Sequence, residues 1–475
     1  MKRFWLLVLL MAGSLVTLQM PAFADDSSDS STTDSMEDVN QALGSMKAQL
    51  TNMQSTINGI GLWGDVRLKY SNKTQANTNA TILDQDNEQV RVRFGMNKTL
   101  GDVTASFRLV TEANTMGVTN GGLLFQQYPN SQTPGLGDGL ADIAIWVDTA
   151  TLTWTPSFFK ADTGVQLKIG GGKFQNVLDY TPITWDDTLT QDGAWVSFNL
   201  PDTNTTLRSV YIDYANPQSK NTGIVPAGLS AGTTFNPSMN PEDSYIWSTQ
   251  LAQKLTLDKD TNFNFTLGYE YIPYVTWLAT NISDSGKSIL TDGMVYDYGS
   301  VIPDIAMGEF LATFNTKVMD VPMKWTLHVI DNFDSPNLPE AYLTGQGLTS
   351  AIKTAEGYSQ LSDSMGYWLS VDLGNADAPA KDCFGAQLAL AYIEPNAQLS
   401  VLTDHDGNFT NTEYFRWKIG FGLENGVCLQ WKAWLAAHVY YEPGITDTAT
   451  TTYASLDGAT QTLEWMNFFY ATASF

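Results

Sequence analysis

Apolar and polar residues alternate along most of the chain with a period of two. Leu62, Gly64, Val66, Leu68 and Tyr70 share one parity; Trp63, Asp65, Arg67 and Lys69 share the other. Val90, Val92, Phe94 and Met96 likewise oppose Arg91 and Arg93, and Val103, Ala105, Phe107 and Leu109 oppose Thr104, Ser106 and Arg108. The pattern recurs at 263–271, 323–329, 415–423 and 427–435, and it closes the chain at 463–475, where Leu463, Trp465, Phe469, Ala471, Ala473 and Phe475 share a face. Successive side chains of a strand point to opposite sides, so each segment reads as a strand with one apolar face. Strands of this length suit the ~9–11 residues that cross a bilayer at a tilt.

The connections sort into two kinds. Residues 97–101, 201–204, 258–261, 319–322 and 424–426 make short turns. Long polar or Gly/Pro-rich loops fall near 72–87, 115–140, 174–192, 217–243, 273–304, 333–361, 395–411 and 443–459. Short turns at one end and long loops at the other are the layout of a transmembrane β-barrel, which a soluble β-sandwich has no reason to adopt. The reading is an all-β antiparallel barrel of about sixteen strands, with eight long loops and seven short turns; weak strands near 141–155 and 245–254 could shift the count by two. Closure pairs the last strand with the first and leaves no edge to aggregate. A barrel of ~16 strands encloses a water-filled lumen.

The start of the chain adds a history. Lys2 and Arg3 precede an apolar run over 4–18, and Ala22-Phe23-Ala24 follows, which predicts a signal peptide over 1–24. Residues 25–35 are an acidic, disordered leader. Over 36–60, Met36, Leu43, Leu50 and Ile57 take a positions and Val39, Met46, Met53 and Ile60 take d positions of a heptad. That spacing fits either a short coiled coil or one amphipathic helix packed on something else, and leucine at a points away from a dimer and toward a homotrimer. The barrel occupies 61–475.

Composition sharpens the picture. Without Lys2 and Arg3 the chain has 23 basic and 50 acidic residues, a formal charge of −27. Such acidity excludes a nucleic-acid partner and suits loops facing the outside of a cell. Two cysteines do not make a disulfide scaffold. Cys383 and Cys428 fall at the short-turn rim on strands thirteen and fifteen, ~10 Å apart across one strand, so a bridge between them needs movement of the rim.

With the apolar faces toward lipid, the lumen receives Arg67, Lys69, Arg91, Arg93, Arg108, Arg416, Lys418 and Lys432. Closure makes these one contiguous basic wall. Asp213, Glu270, Glu309 and Asp372 are expected on the far wall. The third long loop, 174–192, carries Asp179, Tyr180, Trp185, Asp186, Asp187 and Asp192 with no basic residue between Phe174 and Asp192. Folded inward it would constrict the pore and face the basic wall, setting up a transverse field; left outside it is an ordinary acidic loop.

Two resemblances follow from these residues. A terminal strand ending in Phe475 resembles the last strand of bacterial outer-membrane barrels, which implies recognition by the barrel-assembly machinery. The run Trp185-Asp186-Asp187-Thr188-Leu189-Thr190-Gln191-Asp192-Gly193-Ala194, after Lys168-Ile169-Gly170-Gly171-Gly172-Lys173, resembles the "putative porin" family of outer-membrane proteins. Lys173 stands where that family often has Arg, and Asp192 where it often has Glu. The resemblance implies a diffusion channel for small hydrophilic solutes in outer-membrane lipid.

Other constellations are weak. Asp404-His405-Asp406-Gly407-Asn408 has the tone of a calcium loop but lacks EF-hand spacing. His328, His405 and His438 are far apart and form no catalytic arrangement. No metal, cofactor or enzyme activity is expected. The alternative to a porin is a structural tether that links the barrel to the cell wall through the N-terminal helix.

Overall fold

The alternating segments pair in chain order, each with the next and the last with the first. In the computed structural model of the chain they close an antiparallel barrel of sixteen strands among the described residues. Those residues are 41, 44–45, 47–49, 59–77, 80–111, 118–119, 122–123, 145–187, 189–215, 244–273, 283–284, 287–288, 305–333, 364–377, 381–394, 397–398, 402–403, 412–438 and 463–475. The strands are β1 (Ile60–Asn77), β2 (Ala80–Leu100), β3 (Val103–Val110), β4 (Trp146–Trp154), β5 (Gln166–Gln175), β6 (Thr190–Leu200), β7 (Thr205–Ala215) and β8 (Ser244–Thr256). They continue as β9 (Asn262–Ile272), β10 (Ile305–Val318), β11 (Val321–Asn332), β12 (Met365–Leu373), β13 (Phe384–Ile393), β14 (Thr412–Gly422), β15 (Val427–His438) and β16 (Leu463–Ser474). Two further ladders of two residues per strand, 118–119 with 122–123 and 283–284 with 287–288, lie outside the barrel sheet.

Closure is tight at the seam. β1 and β16 pair from Asp65↔Ser474 to Ala76↔Leu463, and Gly64 and Phe475 exchange two backbone hydrogen bonds of 3.0 Å. The turn between β10 and β11 is two residues, Met319 and Asp320, both with positive φ (51° and 67°), the backbone that matches strand twist in a tight hairpin. The connection between β4 and β5 holds a short helix, α1 (Ser157–Thr163), which starts after Pro156 and ends on Gly164 in the left-handed region.

The first long loop expected near 72–87 is instead ladder. β1 and β2 stay in register from Ile60↔Lys98 to Asn77↔Ala80, with one bulge at Gln75/Ala76. Antiparallel backbone pairing needs no apolar face, so polar residues extend the hairpin past the amphipathic part. Of the heptad positions only Ile60 is described; the rest, with the signal peptide, the acidic leader and 404–408, lie outside the described residues. Among the described residues no helix is long and apolar enough to cross a membrane.

The two faces of the wall differ as alternation requires. Phe94, Leu152, Trp247, Leu267, Leu388 and Phe421 are exposed outward, while Asp65, Arg108, Gln250, Glu309, His328 and Arg416 are buried inward. Inward positions are not polar throughout, however. Ile212, Ile246, Ile272, Ile305, Ile330 and Ile393, each 2% exposed or less, point inward at the long-loop ends of their strands. They share an apolar core with Ile183, Trp185 and Leu189 from the β5–β6 connection and Ala397 and Leu402 from the β13–β14 connection. The barrel is therefore filled with apolar side chains at one end and charged along part of its wall.

Candidate functional site

The β5–β6 connection turns into the barrel because it carries side chains that water would reject. Ile183, Trp185 and Leu189 are 4% exposed or less, buried in that apolar core. Polar anchors fix the path. The Asp179 N–H donates to Gln250 Oε1 (2.8 Å), and Gln250 Nε2 donates to the Asp179 carbonyl (2.7 Å) and to Glu309 Oε1 (2.5 Å). Arg208 pairs with Asp179 Oδ1 at 2.8 Å, and Thr266 donates to its Oδ2 at 3.2 Å. Thr181 Oγ1 lies 2.8 Å from His328 Nδ1, whose Nε2 is 3.1 Å from Glu309 Oε2. The loop thus crosses the lumen and is held on β7 to β11.

A second segment also enters. Ala397, Gln398, Leu402 and Thr403 are fully buried. Gln398 Nε2 donates to Glu270 Oε1 across the barrel (2.6 Å), and the Asp186 N–H donates to the Leu402 carbonyl (2.7 Å). By its polar composition 395–411 reads as an ordinary loop. The signal was the apolar set Ala397, Leu399, Val401 and Leu402 inside a polar stretch.

The constriction-loop residues read from the sequence separate into three environments. Trp185 and Asp186 are buried, whereas Tyr180 and Asp187 are exposed to the lumen. Asp192 is not part of the loop: it belongs to β6, opposite Lys173, with a 3.5 Å ion pair. Asp187 sits deep inside the barrel, and that depth, with Asp186 beside it, pushes its carboxyl up; Lys432, Lys418 and Arg67 pull it down. The Tyr180 hydroxyl is pushed up to about 12 by the partial burial of the side chain and by the carboxylates of Asp187 and Asp186. Below the loop, Asp179, Tyr180, Arg208, Lys324, Asp372 and Arg416 line a cavity of about 640 Å³.

The basic residues lie on β14, β15, β1, β2 and β3, contiguous through β16 and the seam. Several carry carboxylate partners that alternation alone did not reveal. Arg93 and Arg91 share Asp65 (2.7 and 3.4 Å), Arg108 pairs with Asp148, and Lys418 pairs with Asp377 (2.6 Å). Others lie against aromatic faces. Arg416 stands 4.5 Å from the Trp368 ring centre and 4.9 Å from Trp434, and donates to Gln387 (2.6 Å). Lys432 packs on Trp434 and Phe468, Lys69 on Phe468, and Arg67 on Tyr470. On the far side Glu270, Glu309 and Asp372 are on the lumen face, but Asp213 shares the outward parity of Leu207 and Tyr211. The phase of β7 differs from the expected one because both of its faces are apolar: Val210 and Ile212 fill the interior.

At the short-turn end, residues 374–377 after β12 tuck against β14 and β15. Gln430 Nε2 donates to the Ala376 carbonyl and to Asp377 Oδ1, both at 2.9 Å. The approach depends on Gly420, where a Cβ would fall 2.8 Å from the Ala376 carbonyl carbon. Burial raises the Asp377 carboxyl, but Lys418 and the hydrogen bonds from Lys418 and Gln430 outweigh it, so the group is held below the ordinary carboxylate range. Cys383 and Cys428 border this turn as free thiols, one exposed and one buried. Among the described residues no cluster could hold a metal ion.

Comparison with solved structures finds distant matches. OprB of Pseudomonas putida is 10% identical, with 90% of this chain and 96% of that chain covered and a TM-score of 0.49. OpdQ of Pseudomonas aeruginosa is 10% identical over 88% of this chain and 98% of that chain, with a TM-score of 0.38. A mutant of the Rh. blastica porin is 9% identical over 88% of this chain and all of that chain, also at 0.38. Curated proteins give no match. The family model described as "Putative porin" matches residues 29–282, just over half of the sequence, and the chain belongs to that family.

Proposed function

We propose that the protein is an outer-membrane porin through which small hydrophilic solutes and ions diffuse passively, and that it assembles as a homotrimer. Family and fold fit an outer-membrane location and a porin-like channel. The observation that carries the finer reading is the β5–β6 loop, drawn across the lumen so that exposed Asp187 lies within electrostatic reach of Arg67, Lys418 and Lys432. Opposite charges across a narrow aqueous gap make a local field that orients dipolar solutes. The trimer is supported by the heptad over 36–60, and export by the signal-peptide pattern over 1–24.

The test is swelling of proteoliposomes in saccharides of graded size. A monosaccharide is expected to enter and a tetrasaccharide to be excluded, because two inward segments narrow the lumen. Equal entry of both would remove the constriction from the account. No entry of either would turn attention to the tether reading.

A further inference from the structure

The cavity beneath the β5–β6 loop is built in tiers, because the strands around it run side by side in fixed register. The top tier carries the roof: Thr266 donates to Asp179, and His328 meets Thr181. One tier lower come Asn264, Thr313, Thr326 and Ser370 on β9 to β12, each the register partner of the next. The tier below is Asn315, Lys324, Asp372 and Gln387 on β10 to β13. All eight of these side chains line the cavity.

The middle tier carries no charge over four successive strands; Lys254 on β8 and Arg416 on β14 flank it. Its amides and hydroxyls have capacity to spare. Asn264 Nδ2 donates to Thr313 Oγ1 (2.9 Å), and Trp368 Nε1 donates to Ser370 Oγ (3.1 Å). Among the described residues, however, the Asn264 and Asn315 amide oxygens accept no hydrogen bond and the Thr326 hydroxyl has no partner. Thr326 and Ser370 are each only 4% exposed. A buried polar group without a partner is costly, so this wall favours a solute that donates as well as accepts. A carboxylate or phosphate group only accepts. Charge points the same way. Lys324 and Asp372 are adjacent in register, and Arg208 pairs with Asp179 at 2.8 Å, so an ion of either sign meets a like charge here and a neutral solute meets none.

Neighbouring strands space these groups ~4.8 Å apart, close to the separation of alternate hydroxyls on a pyranose ring. Tyr180 lines the same cavity from the loop and is 36% exposed, so its ring offers an apolar surface to the C–H face of a sugar. The volume of about 640 Å³ falls within the range of small-molecule sites. We propose that this cavity is a binding station for neutral saccharides of one or two rings, held by Asn264, Thr313, Thr326 and Ser370 with Tyr180 against a ring face. This rests on the channel reading and gives that channel a preferred solute class.

The probe is glucose, with glucuronate as the anionic analogue of the same ring, applied to the full folded chain. Binding is read by equilibrium dialysis in detergent, and conductance is recorded separately in planar bilayers. Glucose is expected to bind saturably and glucuronate more weakly. Thr326→Val keeps the shape and removes the hydroxyl; it is expected to raise the half-saturating glucose concentration about fivefold. Thr326→Ser is expected to recover most of that loss, which a purely structural role of the methyl group would not allow. If Thr326→Val loses the heat-modifiable gel mobility of a folded barrel, Ser370→Ala replaces it.

Absence of saturable glucose binding, or equal binding by wild type and Thr326→Val, overturns the station. Tighter binding of glucuronate than of glucose also overturns it, and makes the cavity an anion site of Lys254 and Lys324. Saturable glucose binding in a barrel that passes no current would keep the station and overturn the channel; current without saturable binding would do the reverse.

Discussion

Gln250→Leu is expected to release the β5–β6 loop from its wall and raise single-channel conductance severalfold. Gln250 is 2% exposed and satisfies three groups at once: the Asp179 N–H, the Asp179 carbonyl and Glu309. Leucine fits the volume but satisfies none of them. A half-buried backbone donor and acceptor left unpaired, with the buried Glu309 carboxylate deprived of a donor, cost on the order of 1–3 kcal/mol. The barrel ladder makes no use of that side chain, so the loss falls on the loop. His328 and Thr181 hold the next residues, so His328→Leu should act in the same direction, and the two together more strongly. The measurement is current amplitude and noise through reconstituted protein. An unchanged amplitude from a folded variant would mean that the loop does not limit the current.

Asp65→Asn is the second large effect. Asp65 is 6% exposed and is the shared partner of Arg91 and Arg93. Asparagine keeps the shape and removes the charge, leaving two guanidinium groups close together at the wall. Breaking a buried pair in this way costs about 3–5 kcal/mol. The expected outcomes are a lower temperature for the gel-mobility change of the unfolding barrel and a shift of reversal potential toward anion selectivity. A variant as heat-resistant as wild type would show that water in the lumen already screens the pair.

The barrel was legible in the sequence because lipid imposes alternation, and loop length records which end of a strand is which. The strand count and the contiguity of Arg67, Arg91 and Arg416 across the seam followed from those two facts. What the sequence hid lies where the lumen stops being polar. Ile246, Ile305 and Ile330 point inward, so a lumen face there resembles a lipid face, and Asp213 was assigned to the wrong side of β7 for that reason. Pairing was hidden for another reason: Asp148 meets Arg108 only through the β3–β4 register, which carries a bulge at Arg108/Leu109. The inward placing of Ala397, Gln398, Leu402 and Thr403 has no period to betray it, only apolar residues out of place. Asp192 fell inside the strand because ladder pairing with Lys173 begins before the acidic run ends.

The central claim is a water-filled path through this barrel, and single-channel recording of the purified full chain in a planar bilayer tests it most directly. The account predicts stable conductance steps that close in threes, with a reversal potential under a salt gradient that moves toward anions in Asp187→Asn. Folded, heat-modifiable protein that inserts and passes no current would contradict it, and would mean that the two inward segments seal the lumen.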